Sequence, residues 1–334
     1  MTTNKPERLL SLDFFRGLTV ASMILVNNPG SWGHIYAQLA HAEWNGCTPT
    51  DLVFPFFLFI VGVSIAYAMG SKKLDPSSHN KTILKALKRA LTLFGLGLLL
   101  AIFPRNFSTF DLVDSLSNLR IGYPNLEKET NLGAWLDRTI LTEAHLWKSA
   151  KTWDPEGILS TLPAIATGLF GVLVGVYLKR KDIEPATKIA WLFSVGVLAS
   201  LAGLLWDLQF PINKSLWTSS YVLYTGGLAT IILALSYWII DINKYNRFTK
   251  PFVVYGVNAI TVFFVSGLMP RLVNMIKIKQ ADGNEVGALT SFYQTFFVPY
   301  FSPINASLAY AIAFIAFFYV ILWVMYKKNI IIKV

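Results

Sequence analysis

Charged side chains are scarce in this sequence. They occupy 14% of the 334 positions, whereas hydrophobic residues occupy 54%. Soluble domains usually carry about 25% charged residues, because their surface faces water. The shortage excludes an ordinary soluble domain and predicts that much of the protein surface faces lipid.

Cysteine and the common ligand-binding motifs are also missing. Cys47 is the single cysteine, which excludes an intramolecular disulfide and a cysteine metal cluster. The chain has no HExxH pair, no Walker A loop and no GxGxxG segment, so no metal site is predicted. The first residues, MTTNKPERLL, lack the pattern of a signal peptide. The first apolar segment is therefore expected to be an uncleaved anchor.

Long apolar segments are abundant instead. A helix that spans a membrane needs about 20 largely apolar residues. The sequence predicts an all-α, polytopic membrane helix bundle that forms a single domain over residues 1–334. Two shorter apolar segments, near 108–121 and 289–301, are predicted to be interfacial or re-entrant. The eight predicted spans are 10–28, 51–70, 83–103, 157–178, 187–206, 218–240, 252–269 and 304–326.

The basic residues predict the orientation of these spans. Most Lys and Arg residues lie in the terminal tails and in alternate connections, whereas 29–50 has none and 207–217 has only Lys214. Short connections rich in Lys and Arg face the cytoplasm. Both termini are therefore predicted to be cytoplasmic, with long outer loops at 104–156 and 270–303. The net charge of +10 is explained by topology, so the expected partner is the bilayer and not a nucleic acid.

One outer connection, residues 27–55, is rich in polar side chains. It contains His34, His41, Trp44, Asn45 and Asp51 among several Gly and Pro residues. A simple connector does not need histidines, acids and tryptophans together, and loops often carry function. An interfacial loop anchored by tryptophans is the alternative, and composition alone leaves the two interpretations equally open.

Three further positions are candidates for function. Asp13 and Arg16 share a helix face at i, i+3, as a structural ion pair or as a holder of an anionic group. Asp154 and Glu156 precede the fourth predicted span, where a helix cap and favourable dipole contacts compete with a binding role. Asn258 lies deep in an apolar segment, where its amide forms an interhelical hydrogen bond or lines a site.

Several longer blocks resemble a known family. They are SLDFFRGLTVASMILVNNPGSWGHIY, HAEWNGCTPTDLVFPFFLFIVG, DPEGILSTLPAIATGLFGVLVG, NKSLWTSSYVLYTGG and YGVNAITVF. In this order, and over most of the chain, they are similar to the transmembrane heparan-α-glucosaminide N-acetyltransferase family and its bacterial members.

The resemblance implies that an acetyl group moves from cytoplasmic acetyl-CoA, a co-substrate, to the amine of a glucosamine-like sugar or glycan end across the membrane. The active-site histidine of the family matches His41, and the asparagine that closes its first helix matches Asn27. Histidine suits proton removal from an amine near neutral pH, and the Asn27 amide suits a developing oxyanion. Asp51 is expected to orient His41 or to bind the acceptor ammonium. Direct transfer and an acetyl-histidine relay both remain open.

The resemblance also implies where the remaining candidates act and where the protein resides. A multi-pass protein of the bacterial inner membrane is expected, with the His41 loop on the periplasmic side and a homodimer as a candidate assembly. No metal cofactor is expected. Residues expected near CoA are Arg16, Asp13, Arg120 and Asn258, and residues expected near the acceptor are Trp44, Asn45, His34, Asp154 and Glu156.

One segment departs from the family pattern. Family members continue from the L-R-I block into two further helices, whereas here Ile121 runs directly into Gly122–Leu126. A helical pair is therefore predicted to be missing, which preserves the topology but removes part of the expected CoA channel. Two other functions stay open: a non-enzymatic transporter or binding protein of the same fold, and an O-acetyltransferase of envelope polysaccharide.

Overall fold

The computed structural model describes residues 9–69, 126–280 and 283–332. Helices dominate these ranges, and one short antiparallel strand pair, β1 with β2, is present among them. The elements in chain order are Leu10–Asn27 (α1), Pro49–Met69 (α2), Leu132–Leu141 (α3), Thr161–Leu178 (α4), Pro185–Asp207 (α5), Ser219–Ser236 (α6, continued by a π-helical segment over Tyr237–Ile242), Lys250–Val257 (α7), Ala259–Val273 (α8), Lys277–Lys279 (β1), Glu285–Gly287 (β2), Ala288–Phe296 (α9) and Pro303–Lys327 (α10).

The helix lengths confirm a multi-pass membrane protein. Six of the described helices are long and apolar enough to cross a membrane, and the α7–α8 pair is a seventh candidate. Each corresponds to a predicted span. The predicted span 83–103 and the short segment 108–121 lie outside the described residues. The segment near 289–301 contains α9, whose nine residues are too few to span a bilayer.

The predicted span 252–269 is not one straight helix, which corrects the sequence interpretation. α7 ends at Val257 and α8 begins at Ala259, and the two are bent by 80°. Asn258 between them has a non-helical backbone, with φ −117° and ψ 37°. Its side chain hydrogen-bonds with the backbone of Ile330 and Ile332 at 3.1 and 3.0 Å. A contact with the far end of the chain therefore accompanies the break.

The described chain divides into two compact units. The first comprises residues 9–40, 68–69, 232–280 and 283–332. Here α1 packs so closely on α7 that a Cβ at Gly17 would lie 1.6 Å from the Phe252 carbonyl oxygen. The first turn of α1 donates its Leu10 and Ser11 amides to the Asp241 carboxylate at 3.1 and 3.0 Å, which satisfies two amides that a helix start leaves open.

The second unit comprises residues 41–67 and 126–231. α2 and α4 meet through small residues: a Cβ at Gly62 would lie 1.9 Å from the Gly168 carbonyl oxygen, and one at Gly171 would lie 2.0 Å from that of Phe59. At the far end of the pair, Lys179 Nζ donates to the Ala66 carbonyl at 3.1 Å. This contact fixes the position of α2, whose first turn carries Asp51.

Candidate active site

His41 and Asp51 form a hydrogen-bonded pair in the second unit. His41 Nδ1 lies 2.6 Å from Asp51 Oδ1. The Asp51 side chain is 1% exposed, whereas that of His41 is 49% exposed. A carboxylate accepts hydrogen bonds only, so Nδ1 carries the proton in this contact. In the neutral imidazole, Nε2 is then the basic nitrogen, on a ring that remains accessible.

The second oxygen of Asp51 is also fully used. Oδ2 accepts hydrogen bonds from the backbone amides of Ala42 and Thr48 and from Thr48 Oγ1, each at 3.0 Å. The Asp51 carbonyl oxygen accepts from the Tyr221 hydroxyl at 2.5 Å. This carboxylate is therefore held by the loop that it organises. It is suited to orient His41 and has little capacity left to bind a ligand.

Lys214 lies beside this pair and was considered in the sequence only as a loop charge. Its Nζ is 3.4 Å from His41 Nδ1. Because Nδ1 already donates to Asp51, this contact is electrostatic and not a second hydrogen bond. Burial lowers the pKa of Lys214, and the negative charges of Asp51 and Glu156 oppose that shift.

Two turns hold Lys214 against the His41 loop. Gly46 donates its amide to the Ile212 carbonyl at 2.7 Å, and its φ of +105° is a conformation that favours glycine. Asn213 Nδ2 donates to Asn45 Oδ1 at 3.1 Å. Trp217, with φ +52°, is buried and donates Nε1 to Thr167 Oγ1 at 3.0 Å. Strain at a non-glycine residue of this kind often accompanies functional sites.

Cys47, in the same loop, is not a candidate nucleophile. Burial, assisted by the negative charge of Asp51, raises the pKa of the Cys47 thiol to about 12, and Lys214 opposes the shift. The thiolate is the reactive form of cysteine. Cys47 therefore stays neutral and unreactive near neutral pH.

A cavity of about 160 Å³ lies in the same unit, and we name it the tryptophan cavity. Trp44 and Trp153 line it, with ring centroids 5.1 Å apart in an edge-on arrangement. Asp137 and Asp154 contribute carboxyl groups to the lining. Burial raises the pKa of Asp137, and the nearby charge of Asp154 adds to the effect. Ser215 completes a mixed aromatic and polar wall.

Three connections contribute to this part of the second unit. The His41–Asn45 segment, the 126–160 segment and the 213–216 turn contact one another through the bonds of Asn45 with Asn213 and of Trp44 Nε1 with the Leu126 carbonyl, the latter at 2.9 Å. The distribution of Lys and Arg assigns all three connections to the same side of the membrane. Their association is compatible with that predicted orientation, which stays a prediction.

Comparison with known proteins identifies relatives. Residues 8–111 match a family described as a domain of unknown function (DUF5009). The heparan-alpha-glucosaminide N-acetyltransferase of Homo sapiens is 26% identical over 353 residues, covering 77% of this chain and 52% of that protein. The protein of the same name from Mus musculus is 26% identical over 350 residues, covering 77% and 53%. The chain is similar in sequence to these two N-acetyltransferases.

This similarity supports the resemblance that the sequence blocks predict. The chain spans about half the length of the N-acetyltransferases that it matches. The alignment with the human N-acetyltransferase extends over 353 residues, more than the 334 residues of the chain, so it contains gaps in this chain. The predicted loss of a helical pair after Ile121 stays a prediction. That position, like Arg120, lies outside the described residues.

Five predicted site residues belong to the first unit, and Asn258, at the break between α7 and α8, is one of them. Asn27 closes α1, where its side chain is exposed and forms no hydrogen bond within the described residues. His34 Nδ1 lies 3.3 Å from the hydroxyl oxygen of Ser31. Arg16 Nη1 donates to Asp13 Oδ1 at 3.0 Å, as the i, i+3 spacing predicts. The expected roles of these residues toward CoA or acceptor stay predictions.

Asn258 and the remaining predicted residues have defined structural partners. Both side-chain groups of Asn258 are bonded to the C-terminal segment. α4 begins at Thr161, so the alternative interpretation of Asp154 and Glu156 as features of its first turn is wrong. Asp154 instead accepts from the Trp147 and Glu156 amides at 3.1 and 2.9 Å, and Glu156 is exposed. No group of three His, Cys, Asp or Glu residues suited to a metal occurs in the described ranges.

Proposed function

We propose that the protein is a transmembrane acetyltransferase that moves acetyl from cytoplasmic acetyl-CoA to the amine of an amino sugar across the membrane. The observation that carries the proposal is the 2.6 Å contact between His41 Nδ1 and Asp51 Oδ1. It leaves Nε2 free to accept a proton on an accessible ring. The names of both relatives describe N-acetyltransferases, which favours an amine as acceptor.

In direct transfer, the amine nitrogen attacks the thioester carbonyl carbon and a C–N bond forms. His41 Nε2 takes the proton that the amine loses. The C–S bond then breaks, and the departing CoA thiolate receives that proton from the imidazolium. Asp51 acts as a positioning residue, because it fixes the tautomer and orientation of the ring and stabilises the transient imidazolium.

An acetyl-histidine relay uses the same geometry in two steps. His41 Nε2 attacks the carbonyl carbon and CoA leaves as the thiol, with an acetyl-imidazole as the intermediate. The acceptor amine then attacks the acetyl carbon, and the C–N bond to histidine breaks. A single-turnover reaction without acceptor distinguishes the routes, since only the relay places radiolabelled acetyl on the protein.

The decisive test uses radiolabelled acetyl-CoA and glucosamine with membranes that contain the protein. His41→Ala is expected to abolish the transfer of label. His145→Ala is the matched control, because His145 Nδ1 bonds with the Leu141 carbonyl at 2.8 Å and lies outside the proposed site. Full activity of His41→Ala, or no transfer by the unaltered protein, would overturn the proposal.

We also propose a bacterial inner-membrane location, with the His41 loop on the periplasmic side. The scarcity of Lys and Arg in 29–50 and 207–217 supports this orientation. Single-cysteine variants test it with a membrane-impermeant maleimide, in a chain that first carries Cys47→Ser. Glu43→Cys, at an exposed position, should react in intact cells. Asp182→Cys, whose native side chain is 63% exposed, should react only after lysis, and the opposite pattern would invert the topology.

An O-acetyltransferase of envelope polysaccharide is the second candidate. The His41–Asp51 pair favours it to the same extent, because an imidazole base accepts a proton from a hydroxyl as well as from an amine. Offering amine and hydroxyl acceptors side by side separates the two activities. Calorimetry with CoA tests the non-enzymatic alternative, for which a folded protein would bind no CoA.

A further inference from the structure

We propose that the tryptophan cavity binds one uncharged sugar ring of the acceptor, next to the ring that carries the reacting amine. The inference rests on the proposed function for the identity of the reaction, but the binding itself is measurable without any acetyl transfer. It gives the acceptor a chemical class: an oligosaccharide whose adjoining ring has no negative charge.

Asp137 provides the first reason to expect a ligand. The residue is 2% exposed, and its Oδ1 accepts from the Ile158 amide at 2.8 Å. Its Oδ2 has no hydrogen-bond donor within the described residues, yet the side chain lines the cavity. Buried carboxyl oxygens are normally paired. A sugar hydroxyl that enters the cavity can donate the missing hydrogen bond.

The two tryptophans provide the second reason. Trp44 is fixed by its bond to the Leu126 carbonyl, and Trp153 packs edge-on against both Trp44 and Trp147. Their rings therefore form a stable apolar wall beside a carboxyl group. A sugar ring has apolar C–H faces and a rim of hydroxyl groups, so one face fits an aromatic ring while the rim meets hydrogen-bond acceptors.

The volume and the charge of the cavity restrict the classes of ligand that can bind in it. A volume of about 160 Å³ is below the roughly 300–1,000 Å³ of sites for drug-sized ligands, so the cavity suits one ring and not a cofactor such as CoA. Asp137 and Asp154 both line it. Two carboxyl groups in a half-enclosed site repel an anion. Lys128 Nζ, 5.9 Å from the centroid of the Trp44 ring, and Arg138 beside Asp137 offset part of this repulsion, so the expected preference against a uronic acid ring is modest.

The position of the cavity connects it with the reaction. Trp44 follows His41 by three residues in one loop, and Ser215 follows Lys214 directly in the other. The two loops are bonded through Asn45 and Asn213. A glycan whose terminal amine lies at His41 is thus adjacent to the segments that line the cavity, and its second ring has a site to occupy.

The test is a ligand-observed NMR titration of the full chain in lipid nanodiscs. One probe is a disaccharide of two N-acetylglucosamine rings, which is neutral and has no free amine to acetylate. The matched probe replaces one ring by a uronic acid. We expect the neutral disaccharide to bind at least about fivefold more tightly than the anionic one, because only the latter brings a charge near the carboxyl groups.

Two variants probe the lining. Asp137→Asn should weaken binding of the neutral disaccharide about tenfold, the effect of losing a hydrogen bond to a charged group, and should reduce the preference over the anionic probe. Trp153→Ala should weaken binding about three- to tenfold, through loss of apolar area. Asp182→Asn removes an exposed carboxylate far from the cavity in sequence and should change neither affinity. Slow alkylation of Cys47 in each variant verifies that this unit remains folded.

The outcomes separate this inference from the proposed function. Binding that depends on Asp137 and Trp153 without acetyl transfer would support the sugar site and reject the acetyltransferase. Acetyl transfer that depends on His41, with no change in saccharide affinity or acceptor KM in the two variants, would reject the sugar site alone. Equal or tighter binding of the anionic probe would overturn the proposal that the ring in the cavity is uncharged.

Discussion

Asp51 and Asp137 are buried carboxyl groups of the same compact unit, and their surroundings differ in one respect. Asp51 accepts four hydrogen bonds, from His41, Ala42 and Thr48, so little of its capacity is left for a ligand. Asp137 accepts one, from Ile158, and faces a cavity. Burial alone does not distinguish the roles of the two carboxyl groups, but the number of unused hydrogen-bond acceptor sites does. A carboxylate whose sites are mostly occupied orients its neighbours, whereas one with free sites can accept a hydrogen bond from a ligand.

The largest expected effect comes from Asp51→Asn. An amide can donate to Nδ1 and stabilise the wrong tautomer, which removes the base at Nε2. By analogy with the buried aspartate of serine proteases, kcat should fall about 10³–10⁴-fold, with little change in acceptor KM. Steady-state kinetics of purified protein measures both constants.

A purely structural role for Asp51 would give a different result. Loss of folded protein lowers the apparent kcat in proportion to the folded fraction and leaves the pH profile of the remaining activity unchanged. Loss of the tautomer changes that profile, because a different group then limits proton transfer. A normal profile with a kcat reduced only a few-fold would contradict the positioning role.

Asp137→Asn is expected to have a smaller effect. It should weaken binding of the acceptor and leave proton transfer to His41 unchanged. The acceptor KM for an oligosaccharide should rise about tenfold, while that for a single glucosamine ring, which does not reach the cavity, should change less. Kinetics with both acceptors gives the comparison directly. Equal changes for the two acceptors would place Asp137 outside the binding site.

A substitution at the contact between α2 and α4 should lower the thermal stability of the protein. Gly62→Ala would place a Cβ 1.9 Å from the Gly168 carbonyl, whereas Gly168→Ala meets its nearest described neighbour at 3.9 Å. Overpacking of this kind costs about 1–3 kcal/mol. Thermal unfolding in detergent should therefore show a lower Tm for Gly62→Ala and little change for Gly168→Ala. Equal Tm values would mean that α2 and α4 are not in close contact.

The smallest expected effect concerns the reactivity of Cys47. Burial raises the pKa of this thiol to about 12, and the charge of Asp51 contributes. Because the raised pKa favours the neutral thiol, alkylation should be slow and should accelerate tenfold per pH unit below that value. Asp51→Asn should lower the pKa of Cys47 and accelerate alkylation a few-fold, whereas Asp137→Asn should not. Identical alkylation rates in the two variants would show that the charge of Asp51 does not affect the pKa of Cys47.

Length and composition were sufficient to predict most of the membrane helices, because a lipid environment demands long apolar segments. The break at Asn258 was not predictable, since the partners of its amide lie 72 and 74 residues further along the chain. The pairing of His41 with Asp51 was expected from the family resemblance, and the two residues lie only ten positions apart in the sequence. Their contact is present in the structure, and their roles stay predictions.

Lys214 and Asp137 were missed for different reasons. Lys214 reaches His41 from a distant loop, and no local pattern reveals such a contact. The burial of Asp137, in contrast, is indicated by the residues around it in the sequence. Asp137 lies in LGAWLDRTIL, where an acid among apolar neighbours at helical spacing indicates a carboxyl group that faces inward.

The bonds between Asn258 and the backbone of Ile330 and Ile332 have a practical consequence. They make the end of the described chain part of a membrane helix break, not a free tail. Any residues that follow Ile332, including an added affinity tag, must leave from this contact. A purification handle fused there begins directly beside the bend between α7 and α8, so a long polar spacer or an insertion in an exposed loop is the safer arrangement for biochemical work.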